Sequence, residues 1–184
     1  MEIEKNELFY LYYKIIKMAT YQYFNSTTDL NSVKLAACFD LDWTLIRPKK
    51  SKFPKSYDDN VLMPNRVDVL KKYIAAGYVI VIFTNQKISK KENLQFKLNR
   101  INDIIKKFRD EGINVIIYMA TEDDKYRKPN TGMWDEFRKS CPKLEAAFYC
   151  GDAAGRPGDF SDSDLKFAEN IKIGFFLPEE VFGL

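Results

Sequence analysis

The sequence predicts an α/β protein on a doubly wound, mainly parallel sheet, and three observations predict it. Apolar runs of strand length recur along the chain, segments of helical periodicity separate them, and polar clusters stand directly after several of those runs. Val33-Lys34-Leu35-Ala36-Ala37-Cys38-Phe39 is almost continuously apolar, as expected of a strand covered on both faces inside a parallel sheet. Residues 78–83, 113–118 and 146–149 read the same way, and Ile171 to Phe176 reads as the last strand. Helices are predicted from Arg66 to Ala76 before Gly77, from Ser89 to Glu111 before Gly112, and from Met133 to Lys139. Upstream, Leu8, Leu11, Ile15 and Ile16 predict a helix over residues 4–18, and Thr20-Tyr21-Gln22-Tyr23-Phe24 alternates like a short strand. There is no internal repeat and no low-complexity linker.

Composition narrows the chemistry. The 184 residues fit a single domain of ordinary globular balance, 46% hydrophobic and 30% charged, with aromatic residues at 15% available to fill the core. No apolar run reaches the roughly 20 residues of a membrane helix, and the acidic start Met1-Glu2-Ile3-Glu4 is unlike a secretory signal. Cytoplasm or nucleus is expected. Three unevenly spaced cysteines, Cys38, Cys141 and Cys150, suit a reducing compartment. Histidine is absent, which removes His-based triads, His-ligated zinc and imidazole catalysis together. A net charge of +3 permits a nucleic-acid partner without requiring one.

In a doubly wound sheet, chemistry gathers at the carboxyl ends of the strands. Asp40, Asp42 and Thr44 follow the first buried strand, Thr84-Asn85-Gln86 the second and Gly151-Asp152 the fourth; Arg127-Lys128 lies in the loop after the third. Phosphoryl transfer needs that inventory. A carboxylate can attack phosphorus if a cation screens the approach of one anion to another. Magnesium takes oxygen ligands and one or two carboxylates, which Asp40 and Asp152 supply. Asp42 is placed to protonate the departing oxygen and then to activate water. Thr84, with the N–H groups after it, can hold phosphate oxygens, and Lys128 adds fixed positive charge. A lone Asp-x-Asp pair is usually a turn; three ordered partner clusters lift this one above that. Cys150 to Arg156 has the Cys-x5-Arg spacing of cysteine phosphatases, but Asp152 inside it would repel a phosphate.

These strings resemble the haloacid-dehalogenase (HAD) superfamily, whose four motifs match Asp40-Leu41-Asp42-Trp43-Thr44, Thr84, Lys128 and Gly151-Asp152 in order. More narrowly, three stretches are similar to the 3′-phosphatase domains of polynucleotide kinase/phosphatases. They are residues 81–86, Tyr126-Arg127-Lys128-Pro129-Asn130-Thr131-Gly132-Met133-Trp134, and Gly151-Asp152-Ala153-Ala154-Gly155-Arg156-Pro157, joined by parts of 159–170. The resemblance runs from about Thr20 onward and leaves out the helix over 1–18. It implies Asp40 as nucleophile, Asp42 as acid–base, and Mg2+ on Asp40, Asp152 and the main-chain carbonyl of Asp42. It also implies phosphate binding by Thr84, Asn85, Lys128 and Arg127. A further supporting carboxylate is expected, Asp164 first and Asp159 second. Trp43 stands where many members have glycine.

From Arg47 to Arg66 there are only about 20 residues, too few for a folded cap by the usual lower bound of about 50. An open site suits a macromolecule, and the resemblance makes it the 3′-phosphate of a DNA end in strand-break repair. Arg47, Lys49, Lys50, Lys52 and Lys55, with Lys87, Lys90 and Lys91, lie near the motifs; a solvated lysine face is the plainer reading of any one of them. No Gly-x-x-x-x-Gly-Lys-Ser/Thr string occurs, so the chain is not expected to phosphorylate 5′ ends; a separate end-processing kinase or ligase is the expected kind of partner, and the chain itself is expected as a monomer. The rival readings are a phosphoserine protein phosphatase and a non-catalytic module that binds DNA ends.

Overall fold

The computed structural model describes residues 21–25, 28–88 and 93–183. The helix expected over 4–18, together with Thr20, Lys90 and Lys91, lies outside them. A six-stranded sheet runs in the order β1-β6-β5-β2-β7-β8, with β1 (Tyr21–Asn25), β2 (Leu35–Phe39), β5 (Tyr78–Asn85), β6 (Val115–Ala120), β7 (Ala146–Cys150) and β8 (Gly174–Phe176). All pairings are parallel except that of β1 with β6 at one edge. A separate two-stranded ribbon, β3 (Ile46–Arg47) and β4 (Val61–Leu62), occupies the span between β2 and the first helix. Among the described residues there is no large cap.

Side-chain alternation along β2 makes the two halves of the core. Ala37 and Phe39 point to one face, where they pack with Leu70 of α1 (Arg66–Ala75), with Leu98, Ile101 and Ile104 of α2 (Leu94–Asp110), and with Phe182. Ala36 and Cys38 point to the other, against Met133 and Phe137 of α3 (Gly132–Ser140) and Phe167, Ala168 and Ile171 of α4 (Ser163–Ile171). The abundant aromatic residues do fill this core. Phe83 alone meets the rings of Tyr118, Trp134, Phe137 and Phe167 at centroid distances of 5.5 to 6.2 Å, each such pair contributing about 0.5–1.5 kcal/mol beyond burial.

This winding positions the site. From β2 the chain builds outward to β5 and β6 and then returns to the other side of β2 for β7 and β8. The strand order therefore reverses beside β2, and the crevice beyond the carboxyl end of β2, where Asp40 sits, is the topological switch point. Arg66, the first residue of α1, reaches under the loop after β2 and donates from Nε to the Thr44 carbonyl at 2.9 Å. Two expectations need adjustment. Helix α4 has no counterpart in the sequence reading, although Phe167, Ala168 and Ile171 share one face. It also takes the start of the last strand: Lys172 turns the chain at φ 59°, and β8 shrinks to three residues.

Candidate active site

Asp40 is held in the crevice from both sides. Its N–H donates to the Cys150 carbonyl at 2.9 Å, locking it against the end of β7, and its Oδ1 accepts from Lys128 Nζ at 2.7 Å. The buried ammonium of Lys128 also donates to Asp164 Oδ1 and to the Tyr149 hydroxyl, both at 2.7 Å. Burial opposes charge on Lys128, but Asp164 and Asp40 outweigh it and hold the pKa above its usual value. Asp164 is itself fixed, its Oδ2 accepting from the Ala153 N–H at 3.0 Å. Gly151 makes that approach feasible, because a Cβ there would stand 2.4 Å from Asp164 Cγ.

Oxygens of Asp40, Asp152 and Asp164 all lie within 4.8 Å of one another. Three carboxylates thus share one ammonium, and two formal negative charges have no counter-ion within the cluster. The electrostatics register this. Burial, with the neighbouring Asp164 and Asp152, pushes the Asp40 carboxyl well above its ordinary range despite Lys128. Burial and then Asp164 push Asp152 up to about 6. Both oxygens of Asp164 are engaged by the chain, whereas the side-chain bond to Asp152 is a long one, 3.4 Å from the Thr44 hydroxyl. A hard divalent cation on Asp40 and Asp152 fits this surplus of negative oxygen donors.

Asp42 faces a different environment. Its carboxylate is bidentate with Arg100 of α2, Nη2 to Oδ1 at 2.5 Å and Nη1 to Oδ2 at 3.2 Å, and Gln86 Nε2 adds a third donor at 2.6 Å. Burial alone would raise its pKa, but Arg100 and Gln86 more than offset that, so Asp42 is held below the usual carboxylate range. Arg100 is fixed in turn by Asn60, whose Oδ1 accepts from Nε at 2.9 Å, and by Gln86 Oε1 at 3.2 Å. Adjacent aspartates in one motif are therefore biased in opposite directions, Asp40 by a crowd of anions and Asp42 by a cation.

The other expected residues fall in three groups. Thr84 is buried, its hydroxyl accepting from Gln86 Nε2 at 2.9 Å and keeping its own proton to donate. Arg127 pairs through Nε with Asp123 at 3.4 Å, while its Nη1 is buried without a partner. Two expectations are corrected. The Asn85 carboxamide is not free for phosphate, because it clamps the main chain of Lys128 with both ends, at 2.9 and 3.0 Å. Asp159 stays out of the carboxylate cluster: it accepts from the N–H groups of Ala154 and Arg156 and pairs with Arg156 Nε at 3.0 Å, holding the turn after β7. The Cys-x5-Arg lead also ends here. Cys150 is fully buried with its thiol pushed up by burial, and Arg156 is turned to Asp159 and Glu179.

Arg100, Gln86, Asn60 and Tyr149 are the contributors that sequence reading passed over. Gln86 lay inside a quoted motif, and Arg100 carried a signal of its own, an arginine on the helix face shared with Ile101, Ile104 and Phe108. Tyr149 reads in the sequence only as a residue of the strand 146–149. Its hydroxyl accepts from Lys128 and donates to Asp164 Oδ1 at 3.0 Å. Tyr149→Phe should cost about 1–2 kcal/mol, read as a fall of roughly 2–8 °C in Tm. It should slow turnover only modestly, since Asp40 and Asp164 still hold Lys128. An unchanged Tm would show that the hydroxyl carries no such burden.

The fold and the groups at its strand ends define a phosphatase domain of the HAD type. A HAD-like phosphatase of Mesorhizobium loti superposes with a TM-score of 0.69 at 19% identity, covering 84% of this chain and 77% of that one, a likeness of fold. In sequence, a family model described as polynucleotide kinase 3 phosphatase matches residues 34–182, and the chain belongs to that family. An uncharacterized 20.8 kDa protein of Autographa californica nuclear polyhedrosis virus is 42% identical over 163 residues, 80% of this chain and 85% of that protein. The bifunctional polynucleotide phosphatase/kinase of Schizosaccharomyces pombe is 40% identical over 163 residues, 83% of this chain but only 38% of its own length. Among the described residues no helix is long and apolar enough to cross a membrane.

Proposed function

We propose that this chain removes the 3′-phosphate from DNA ends through a covalent phosphate on Asp40, with Mg2+ as cofactor, as a step in strand-break repair. The observation that carries the reading is Lys128, a buried ammonium that ties Asp40 to Asp164 in a cluster with Asp152. Membership of the 3′-phosphatase family supplies the substrate class.

Each residue then has one task. Asp40 attacks phosphorus through the oxygen that Lys128 leaves free, and the bond to the sugar 3′-oxygen breaks. Lys128, the Thr84 hydroxyl and the unpaired Nη1 of Arg127 hold the phosphate oxygens. Asp42 gives a proton to the departing oxygen and takes one from water in the second step. Arg100 keeps Asp42 ionised in the resting site, the form that accepts the proton of water. An arriving phosphate dianion pulls the other way and favours the protonated form needed first. Asp40, Asp152 and the main-chain carbonyl of Asp42 would hold Mg2+, which when bound neutralises charge between the nucleophile and the phosphate. Asp164 anchors Lys128. These 184 residues carry no Gly-x-x-x-x-Gly-Lys-Ser/Thr string and are assigned the 3′ step alone; a separate kinase or ligase would complete end processing.

The test is release of phosphate from a 3′-phosphorylated oligonucleotide, against a phosphoserine peptide and a 5′-phosphorylated oligonucleotide, with Mg2+ and with chelator. Preference for the peptide would overturn the reading. The ion site has an independent readout. Asp152, near pKa 6 when folded, takes up a proton on folding. Its contribution is therefore most favourable below the unfolded value of about 4 and is lost as pH rises through 6. Without metal at pH 7.5, Asp152→Asn should melt at a higher temperature than the unaltered chain, and adding Mg2+ should narrow or reverse that gap. A gap that Mg2+ leaves untouched would remove Asp152 from the ion site.

A further inference from the structure

Trp43 is the motif residue that the proposed chemistry leaves unused. It follows Asp42 directly, and its backbone adopts φ 64°, a left-handed conformation that costs energy for any residue but glycine and is rare for a bulky aromatic. The loop imposes it: the Trp43 N–H donates to the Ile46 carbonyl at 2.7 Å, while Leu45 and Ile46 both donate to the Leu41 carbonyl. A glycine would meet this geometry without strain. The indole is not used to fill the core either, since Trp43 is 41% exposed. Strained backbone and exposed indole together point to function.

Trp43 lines a cavity of about 440 Å³ together with Arg47, Pro48, Lys49, Lys50 and Lys52. Asp59 ties this loop down, accepting from the N–H groups of Lys49 and Lys55 at 2.9 Å each. Those bonds use the backbone and leave the ammonium groups out. Among the described residues no ion pair involves Lys49, Lys50 or Lys52. Lys52 Nζ lies 5.9 Å from the Phe53 ring centre, and Lys49 is near Asp58 and Asp59 without a salt bridge to either. An aromatic residue beside cations held in no ion pair, reached from the residue next to Asp42, has the makeup of a single-strand nucleic-acid subsite. Bases stack on such rings regardless of sequence, and lysines follow the phosphates.

We infer that Trp43 stacks on a nucleobase of the substrate strand, beside the 3′-phosphate, while Lys49, Lys50 and Lys52 contact the adjoining backbone phosphates. This rests on the reading of the chain as a polynucleotide 3′-phosphatase and adds how it would grip an unpaired end. Single-strand stacking selects a polymer over a small phosphate ester, so the residue sets specificity and takes no part in the chemical step.

The test compares kcat/KM for a 3′-phosphorylated oligothymidylate and for an aryl phosphate in the unaltered chain, Trp43→Gly and Trp43→Phe. The ratio of the two values should fall about tenfold or more in Trp43→Gly, mainly through a higher KM for the oligonucleotide, and recover largely in Trp43→Phe. Tm should hold or rise in Trp43→Gly, because the strain is relieved. The oligonucleotide rate should also fall with added salt, and less steeply once Lys49 and Lys50 are replaced by Gln. Equal losses on both substrates, or no recovery with Phe, would overturn the stacking role while leaving the proposed function intact. If the unaltered chain shows no preference for the oligonucleotide, the proposed function fails and the inference with it.

Discussion

The Asp40→Asn protein is expected to be inert and no less stable than the unaltered chain. Loss of the attacking group should reduce kcat by about 10⁵-fold or more, as removing a nucleophile does elsewhere. The stability half of the result comes from the same geometry. Asp40 is buried beside Asp152 and Asp164, and that environment raises its pKa despite the bond from Lys128. An amide of the same shape can still accept from Lys128 through its oxygen, and it removes one of three crowded negative charges. Thermal melts without divalent ion should therefore place Asp40→Asn at or above the unaltered chain. A clear fall in Tm with residual turnover would mean that Asp40 is structural.

Arg100→Ala should produce the second largest effect, and here activity and stability fall together. The substitution strips Asp42 of its bidentate partner and leaves Asn60 Oδ1 and Gln86 Oε1 without their donor. Removing one side of a buried ion pair costs about 3–5 kcal/mol; Asp42 keeps 34% of its side chain exposed, so roughly 2–3 kcal/mol is the expectation here. Urea unfolding measures it. The sign with pH is fixed by the depressed pKa of Asp42. Its stabilising share is present above the unfolded value and lost as pH falls through the folded one, so the two proteins should differ most near neutrality and converge in acid. Activity should drop about 10²–10³-fold, within the usual range for an acid–base group out of place. Arg100→Lys should recover only part, because an ammonium cannot make the paired contact. An Arg100→Ala enzyme of normal activity would separate Asp42 from catalysis.

The sequence made the architecture legible where hydrophobicity was continuous. The buried runs before Asp40, Thr84 and Asp152 are central strands; β2 ends on Phe39 as its sequence suggests, whereas β5 continues through Thr84 to Asn85 because the ladder with β6 extends past the apolar run. Helix α4 escaped because its short apolar face, Phe167, Ala168 and Ile171, supplies only about two turns of periodicity. The ribbon β3–β4 has two residues in each strand, below any periodicity signal.

For the site, residue type and order brought Asp40, Lys128 and Asp152 together, since each follows a strand or lies in the loop after one, while Asp164, in the first turn of α4, came from the family resemblance. What the sequence could not show was which polar side chains are consumed by other protein groups. Asn85 looks like a phosphate ligand until its carboxamide is found on the Lys128 backbone, and Asp159 like a supporting carboxylate until it closes a turn. Arg100 is the reverse case, a residue remote in sequence that α2 brings beneath Asp42. Only the fold carries that information.

The most direct test of the central claim is to quench turnover with borohydride. The unaltered chain would be mixed with Mg2+ and a 3′-phosphorylated oligonucleotide, reduced during the reaction, and mapped by mass spectrometry. An acyl phosphate is reduced where a free carboxylate is not, so the account predicts reduction at Asp40, dependent on substrate and accompanied by release of phosphate. Phosphate release with Asp40 unmodified and another side chain carrying the phosphate would contradict it.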